Sequence, residues 1–215
     1  MSDQPEADAP IVPLPMFPLG TVLFPHVYLP LHVFEPRYRA LVKDCLRVGK
    51  EFGVVLIERG HEVGGGDARF RTGTVARIVE AAEYPDGRWA VAAVGGRRIK
   101  VSTWLPDDPY PVALVGDLDD TGDDEIDEDL FTEAERAVRR ALALKTELGE
   151  PAPPATVTLS DERRVATWQL AAVAPLSPFD QQQVLERDHA AERLRLLAEL
   201  ATEVSDMLAY RLSGG

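Results

Sequence analysis

The first half of the chain has the apolar pattern of β-strands. Residues 51–58, EFGVVLIE, form a short apolar run with β-branched side chains, and two longer runs follow at 71–84 and 88–105. Residues 85–87, PDG, stand between those two runs and predict the turn of a long hairpin. The glycine pair at 95–96 predicts a bulge or sharp bend, which would help a sheet to curl.

Prolines interrupt the opening segments. They stand at positions 13, 15, 18, 25 and 30. Because proline cannot donate a hydrogen bond to a strand ladder, we expect edge strands or interrupted strands here. A further strand is predicted within residues 110–118, YPVALVGDL.

The second half of the chain has the period of helices. Residues 130–148 are rich in good helix formers and end at a glycine followed by prolines. Ser160 is predicted to cap a second helix that runs to about Ala174, and Ser177 with Pro178 is predicted to start a third. The final segment has an apolar stripe at spacings of three and four, formed by Leu194, Leu197, Ala201, Val204 and Leu208. Together these patterns predict a helical bundle.

Charge divides the chain in the same way. Residues 1–116 carry 14 acidic and 13 basic side chains, whereas residues 117–215 carry 22 and 10. Nine of the thirteen residues from 117 to 129 are acidic, which is typical of a solvated connector. The predicted domains are therefore a disordered N-terminus (1–10), a β-rich subdomain (11–118), an acidic linker (119–129) and a helical subdomain (130–212).

The same composition argues against several classes of function. The net charge of −13 opposes binding to nucleic acid or to an anionic membrane surface. No P-loop, zinc-protease or serine-hydrolase motif is present, so we expect no catalytic residues, no metal and no cofactor. His61-Glu62 could act as a ligand or base, but a solvated loop is the favoured interpretation. Cys45 is expected to be a small buried residue rather than a nucleophile.

The segment PLHVFEPRYRALV, residues 30–42, concentrates polar residues after an apolar run. Pro36 suits the first position of a helix, and Glu35 at the cap could accept hydrogen bonds from the free N–H groups of that turn. Arg37 is expected to pair with a carboxylate or to cover apolar surface, and Tyr38 to point inward. No second catalytic group stands at a fixed spacing, so these residues are predicted to be structural.

These residues also resemble a known family. Residues 14–46, LPMFPLGTVLFPHVYLPLHVFEPRYRALVKDCL, with 52–65, 73–101 and 110–118, are similar to the LON substrate-binding domain, the N-terminal domain of Lon proteases. The C-terminal part, including residues 176–200, is similar to the helical subdomain of that family. The resemblance implies an α+β fold: a PUA-like β pseudo-barrel with one short helix, followed by a helical bundle.

The resemblance also implies a function. It predicts a non-catalytic module that recognises exposed or unfolded polypeptide segments, because this sequence ends before the ATPase and protease modules of Lon would begin. Without an export signal, the chain is expected in the cytoplasm. The alternatives are an adaptor or scaffold that docks to a separate ATPase or protease, with the acidic segment as contact, and a free-standing hydrolase. RNA binding, known for PUA-like folds, is disfavoured by the charge.

Polypeptide binding of this kind would use pairing with a sheet edge and apolar contacts. Phe70, Trp104 and Tyr110 are the candidate binding residues, since aromatic side chains near loops could offer such contacts. The competing interpretation is that they cap the ends of the core. The client, the binding surface and the oligomeric state are not predicted.

Overall fold

The structure, a computed structural model, describes residues 10–58, 68–119 and 126–214. Strands come first and helices follow. The strands are β1 (Val12–Leu19), β2 (Tyr28–Val33), β3 (Glu51–Glu58), β4 (Ala68–Glu83), β5 (Trp89–Trp104) and β6 (Val112–Leu118). The helices are α1 (Pro36–Arg47), α2 (Glu128–Glu147), α3 (Arg163–Val173), α4 (Pro178–Leu185) and α5 (Ala190–Leu212). The predicted α+β class is confirmed.

The strands form one mixed sheet that closes on itself. They pair in the order β2-β5-β4-β3-β1-β6, and β6 also pairs with β5. Strands β5, β4, β3, β1 and β6 therefore make a ring, in which only the β1–β3 pair is parallel. Every strand of the ring contributes to one apolar cluster, formed by Leu14, Met16, Val55, Val75, Ile99, Val101, Ala113 and Val115. A second cluster packs α1 against the strands.

The proline-rich opening strands are interrupted or lie at an edge, as predicted. The first half of β1, residues 12–15, pairs with β6, and the second half, residues 16–19, pairs with β3. Strand β2 pairs along its whole length with β5 and has no second partner in the described part of the chain. Each proline of β1 and β2 thus stands where one side of the strand has no ladder to support, and Pro25 lies in a turn between the two strands.

The long hairpin of β4 and β5 is confirmed, and so is its glycine bulge. Gly87 has a φ of 81°, and the N–H of Tyr84 donates to the carbonyl of Arg88 at 2.8 Å. The register shifts near Gly95, where β5 holds one more residue than β4. A Cβ added at Gly95 would lie 2.1 Å from the carbonyl oxygen of Phe24, so the bulge lets another chain segment approach closely.

Helices α2 and α4 begin with side-chain caps, whereas the predicted cap of α3 is not made. The Asp127 carboxylate accepts from the N–H groups of the first turn of α2, so the predicted linker 119–129 overlaps this helix by two residues. Ser177 caps α4 as predicted, accepting from the N–H of Asp180 at 3.2 Å. The prediction that Ser160 caps α3 was wrong, because the helix begins at Arg163 and the Ser160 hydroxyl accepts from the Glu162 N–H instead.

Ring and helices meet at a buried arginine junction, formed by Arg98, Trp168 and Arg193. The Arg98 guanidinium is fully buried, and its Nη1 donates to the carbonyl of Leu185, the last residue of α4, at 2.9 Å. A cation is favourable there because carbonyl groups at a helix C-terminus carry partial negative charge. The Arg193 guanidinium lies 4.0 Å from the Trp168 ring centroid and donates to the carbonyl of Arg187. The junction fixes the helices against the ring.

Three predicted segments lie wholly or largely outside the described residues. They are the N-terminal segment apart from Pro10, the glycine-rich loop 59–67 with His61-Glu62, and residues 120–125 of the linker. The division of the chain into domains therefore stays a prediction. The observed order of strands within 12–118 and of helices from 128 onward is compatible with it.

Candidate functional site

A largely apolar groove opens where β1, β3 and the starts of α1 and α4 come together. It has two parts of about 280 Å³ and 490 Å³, which share Gly20 and Ile57 in their lining. The smaller part is lined by residues of β1, β2 and α1, and the larger part by residues of β3, β4 and α4. We call this the apolar groove.

Two phenylalanines shape the larger part of the apolar groove. Phe70 on β4 and Phe179 on α4 have ring centroids 6.2 Å apart with tilted planes. Phe179 follows the capping Ser177 and Pro178, and this position in the first turn leaves its ring 59% exposed. A bound apolar side chain could therefore contact both rings.

The smaller part of the groove is built on the start of α1. Tyr38 is buried and stacks on Phe17 with a distance of 4.1 Å between ring centroids. The prediction that Tyr38 points inward is therefore confirmed. Arg37 lies over the Tyr38 ring at 4.6 Å. Phe34, which directly precedes the helix cap, is 65% exposed at the rim.

The helix cap itself differs from the prediction. Pro36 occupies the first helical turn and Glu35 the N-cap position, but the Glu35 side chain makes no capping hydrogen bond. Its carboxylate instead accepts from Arg37 Nε at 3.0 Å. The ion pair satisfies the carboxylate, so the proline and the packing of Tyr38, rather than a side-chain cap, define the start of α1.

A smaller hollow of about 140 Å³ lies on the other side of Phe34. It shares His32, Val33 and Phe34 with the apolar groove and is completed by Tyr84, Arg88 and Trp89. Phe34 thus stands between two concave surfaces. The Arg88 side chain is paired with Asp86 at 2.7 Å, so its charge is balanced locally.

Of the three predicted binding residues, the structure brings only Phe70 into the groove lining. Trp104 is half-buried under the guanidinium of Arg69, whose centre lies 4.5 Å from the Trp104 ring centroid. Tyr110 donates from its hydroxyl to Asp44 Oδ2 at 2.9 Å and packs on the core cluster below α1. Both contacts explain these residues as parts of the fold, which was the competing interpretation.

Two side chains near α1, Cys45 and Tyr110, have strongly raised pKa values, and neither lines the groove. Burial raises the pKa of the Cys45 thiol to about 12, so this cysteine is the neutral, buried residue that was predicted. Burial and the hydrogen bond to Asp44 raise the pKa of Tyr110 to about 12. Within the described residues, no group of three or more His, Cys, Asp and Glu side chains could hold a metal ion. In that same part of the chain, no helix has the length and hydropathy needed to cross a bilayer.

Sequence reasoning missed Phe34 and Phe179, the most exposed aromatic side chains of the groove. In the sequence both follow apolar stretches and resemble core residues. Their only local signal is that each lies within two residues of a proline that marks a helix start, Pro36 or Pro178.

Comparison with known families agrees with the fold. The family model for the ATP-dependent protease La (LON) substrate-binding domain matches residues 13–203. This range includes β1 from its second residue, all of β2 to β6, and most of the helical part. The chain belongs to this family. The resemblance predicted from its sequence motifs is thereby confirmed.

The curated relatives are full Lon proteases. The Lon protease of Anaeromyxobacter dehalogenans is 31% identical over 205 residues, which is 94% of this chain and 24% of that protein. The Lon protease of Roseiflexus castenholzii is 32% identical over 204 residues, covering 89% and 24% respectively. The chain therefore spans about a quarter of the length of the relatives it matches, and the match lies in their substrate-binding part.

Solved structures give the same result. The crystal structure of a Lon N-terminal domain protein from Xanthomonas campestris has a TM-score of 0.64 and 31% identity, covering 87% of this chain and 97% of that one. The N-terminal domain of the Mycobacterium avium complex Lon protease has a TM-score of 0.58 at 16% identity, with 89% and 99% covered. The second likeness shows the fold alone.

Proposed function

We propose that this chain is a non-catalytic module that binds exposed or unfolded polypeptide segments, called clients below, in the apolar groove. The observation that carries the proposal is the pair of exposed phenylalanines, Phe34 and Phe179, one in each part of the groove. Membership of the LON substrate-binding domain family supports the same role.

The physical basis is the selective burial of apolar surface. Each square ångström of apolar surface removed from water gains about 25 cal/mol, and a folded protein keeps most of its large apolar side chains inside. An unfolded segment presents those side chains, so it can cover Phe34, Phe70 and Phe179, whereas the same protein in its native state cannot. The groove would therefore distinguish folding states rather than sequences.

The charges near the groove fit a polypeptide better than a phosphate ligand. Arg37 is paired with Glu35, and Arg88 with Asp86. The positive charge of each guanidinium is therefore already balanced by a carboxylate, which makes a phosphate a poor ligand. The net charge of −13 repels nucleic acid and anionic lipid, and we exclude both from the proposed partners. The single cysteine fits a reducing compartment, and the proposal places the chain in the cytoplasm.

A binding assay with matched variants tests the proposal. The probe is fluorescently labelled lysozyme that has been reduced and carbamidomethylated, with native lysozyme as the folded control. Phe34→Ser and Phe179→Ser each remove one exposed ring from the groove. We expect each to weaken binding of the unfolded probe at least fivefold, about 1 kcal/mol, because exposed anchor residues dominate such interfaces.

Tyr210→Ser is the matched control. Tyr210 is 66% exposed on α5 and is not among the residues that line the groove, so its loss changes exposed aromatic area without touching the site. Binding by this variant should equal that of the unaltered chain. If the unaltered chain fails to bind the unfolded probe, or if all three variants bind alike, the proposal is wrong.

An adaptor that docks to a separate ATPase or protease is the alternative proposal. It is supported by the acidic surplus of residues 117–215, with 22 acidic against 10 basic side chains. Pull-down of a defined ATPase or protease would favour it, provided that neutralising the acids of 117–129 abolishes the pull-down and leaves probe binding intact. The family match gives no support to a free-standing hydrolase, since it lies in the substrate-binding part of Lon.

A further inference from the structure

Strand β2 has an unusual edge. It pairs with β5 through all six residues, from Tyr28 opposite Val94 to Val33 opposite Trp89, and no other strand of the described chain pairs with it. On the side away from β5, alternate N–H and C=O groups of β2 therefore have no ladder partner among the described residues. An extended polypeptide is the ligand that satisfies such a row of groups.

The exposed face of β2 is mostly apolar. Every second residue along this segment is exposed, namely Tyr28, Pro30, His32 and Phe34. Tyr28 is 59% exposed and Phe34 65%. The residues paired with this stripe on β5 are small, since Pro30 stands opposite Ala92 and His32 opposite Ala90. A strand added at the free edge would place its own side chains beside this stripe.

Natural edge strands normally carry features that prevent pairing. Charged side chains, especially lysine, are the usual protection, and β2 has neither Lys, Arg, Asp nor Glu between Tyr28 and Val33. Pro30 is its only protective residue, and it removes a single N–H. The β2 edge therefore carries fewer features that prevent pairing than an exposed edge strand normally does.

The edge is continuous with the apolar groove. Leu31, His32 and Val33 of β2 line the smaller part of the groove, together with Phe17 and Leu19 of β1. Strands β1 and β2 do not pair with each other in the described part of the chain, although both contribute to the same lining. A client in the groove would therefore lie beside free backbone groups as well as apolar side chains.

We infer that clients bind as an extended strand added to the free edge of β2, with alternate apolar side chains directed into the groove. The inference rests on the proposed function and specifies its client class. Because residues 117–215, which include α4 at the groove, carry 22 acidic and 10 basic side chains and β2 carries no charged residue, the fitting client is a β-prone apolar segment with basic residues at its ends. Basic ends are attracted by the acidic chain, and acidic ends are repelled.

Backbone methylation of a synthetic client tests the added strand. The parent peptide alternates valine and threonine and has two lysines at each end. One derivative carries N-methyl groups on the central valines, and the other carries them on the central threonines. In an added strand only one of these two sets of N–H groups faces β2, because successive N–H groups point to opposite sides.

The expected result is asymmetric. One derivative should bind at least tenfold more weakly than the parent, while the other should bind within twofold of it, and the parent should compete with unfolded lysozyme. If both derivatives bind like the parent, side chains alone hold the client and the added strand is refuted. If both are equally weakened, the client does not lie on a single edge, and the inference also fails.

Two further outcomes separate this inference from the proposed function. If unfolded lysozyme binds and the parent peptide does not, the client class is wrong and the proposed function stands. If neither binds, the proposed function fails as well. A peptide with glutamates in place of the lysines should bind at least tenfold more weakly at low salt, with a smaller difference at high salt. Equal binding of the two peptides at low salt would refute the charge preference.

Discussion

Arginine and aromatic side chains occur together both in the buried arginine junction and at the apolar groove. In the junction, Arg98 is fully buried and Trp168 has no exposed surface, and backbone carbonyl groups accept from the guanidinium. At the groove, the Arg37 side chain is 44% exposed and Phe34 is 65% exposed. The same residue types are buried in one region and open to solvent in the other.

The buried junction contributes to stability, whereas the exposed groove is suited to binding. A buried guanidinium needs hydrogen-bond acceptors around it, because an unpaired buried charge costs several kcal/mol. Such a region cannot accept a ligand without losing contacts that it already has. The exposed rings of the groove contribute little to folding, and covering them with a client would gain free energy. The predictions that follow test whether the two regions are as distinct as their contacts indicate.

The largest expected effect on stability is at the junction. Arg98→Met should lower the free energy of unfolding by about 3 kcal/mol, because carbonyl groups at the end of α4 lose a buried charged donor. Urea denaturation measures the loss. Arg97→Met is the matched control: Arg97 pairs with Glu51 and Asp117 at the surface, and its removal should cost less than about 1 kcal/mol. Equal losses in the two variants would contradict the distinction.

The next effect is at the bulge that brings chain segments together. Gly95→Ala should destabilise by about 2 kcal/mol, since the new Cβ would lie 2.1 Å from the carbonyl oxygen of Phe24 and the backbone must move. Thermal unfolding gives the change. Gly116→Ala provides the comparison, because a Cβ there meets no atom within 4 Å. A neutral Gly95→Ala variant would show that the close approach is not required.

A smaller effect is expected for Tyr110, a predicted binding residue that is partly buried against the core cluster below α1. Tyr110→Phe removes the hydrogen bond to Asp44 and should cost about 1 kcal/mol at neutral pH. The pKa of Tyr110 is raised from about 10 in the unfolded chain to about 12 in the folded chain, so its contribution is complete below pH 10. That contribution is lost as pH rises to about 12.

The pH profile gives this prediction its test. Stability of the unaltered chain should fall between pH 10 and pH 12 more steeply than that of Tyr110→Phe, measured by urea denaturation at each pH. Binding of unfolded lysozyme at neutral pH should be the same for both. If Tyr110→Phe loses binding without losing stability, Tyr110 is part of the client site.

The smallest effect on stability is expected in the groove. Phe179→Ser should change the free energy of unfolding by less than about 0.5 kcal/mol, because the ring is 59% exposed and contacts chiefly Phe70. The same variant should show one of the largest losses of client binding. A destabilisation comparable to that of Gly95→Ala would mean that Phe179 supports the fold, which would remove the contrast between the two regions.

Local chemistry explains which parts of the fold could be predicted. The turn at 85–87, the proline at the start of α1 and the Ser177 cap depend on residues within a few positions of each other. Ser160 failed as a predictor although its side chain is a good cap. Its N–H donates to the Gln169 side chain at 2.7 Å and its hydroxyl accepts from Glu162, so a turn precedes the helix.

The candidate site was predictable only in part. Phe70 was identified, but Trp104 and Tyr110 have partners, Arg69 and Asp44, that are distant in sequence. Aromatic side chains give no local signal of whether such a partner exists. The same limit explains why the exposed ring of Phe34 was not identified.

The sequence by itself determined the strand and helix content, the hairpin, the position of the acidic segment and the family, because these depend on periodicity, turn residues and contiguous motifs. Only the tertiary structure decided that the ring closes through β6, that Arg98 is buried, and that β2, beside Phe34, pairs with a single strand within the described residues. The physical reason is that burial, strand pairing and exposure are properties of surfaces brought together from distant positions, and no local pattern encodes which surfaces remain uncovered.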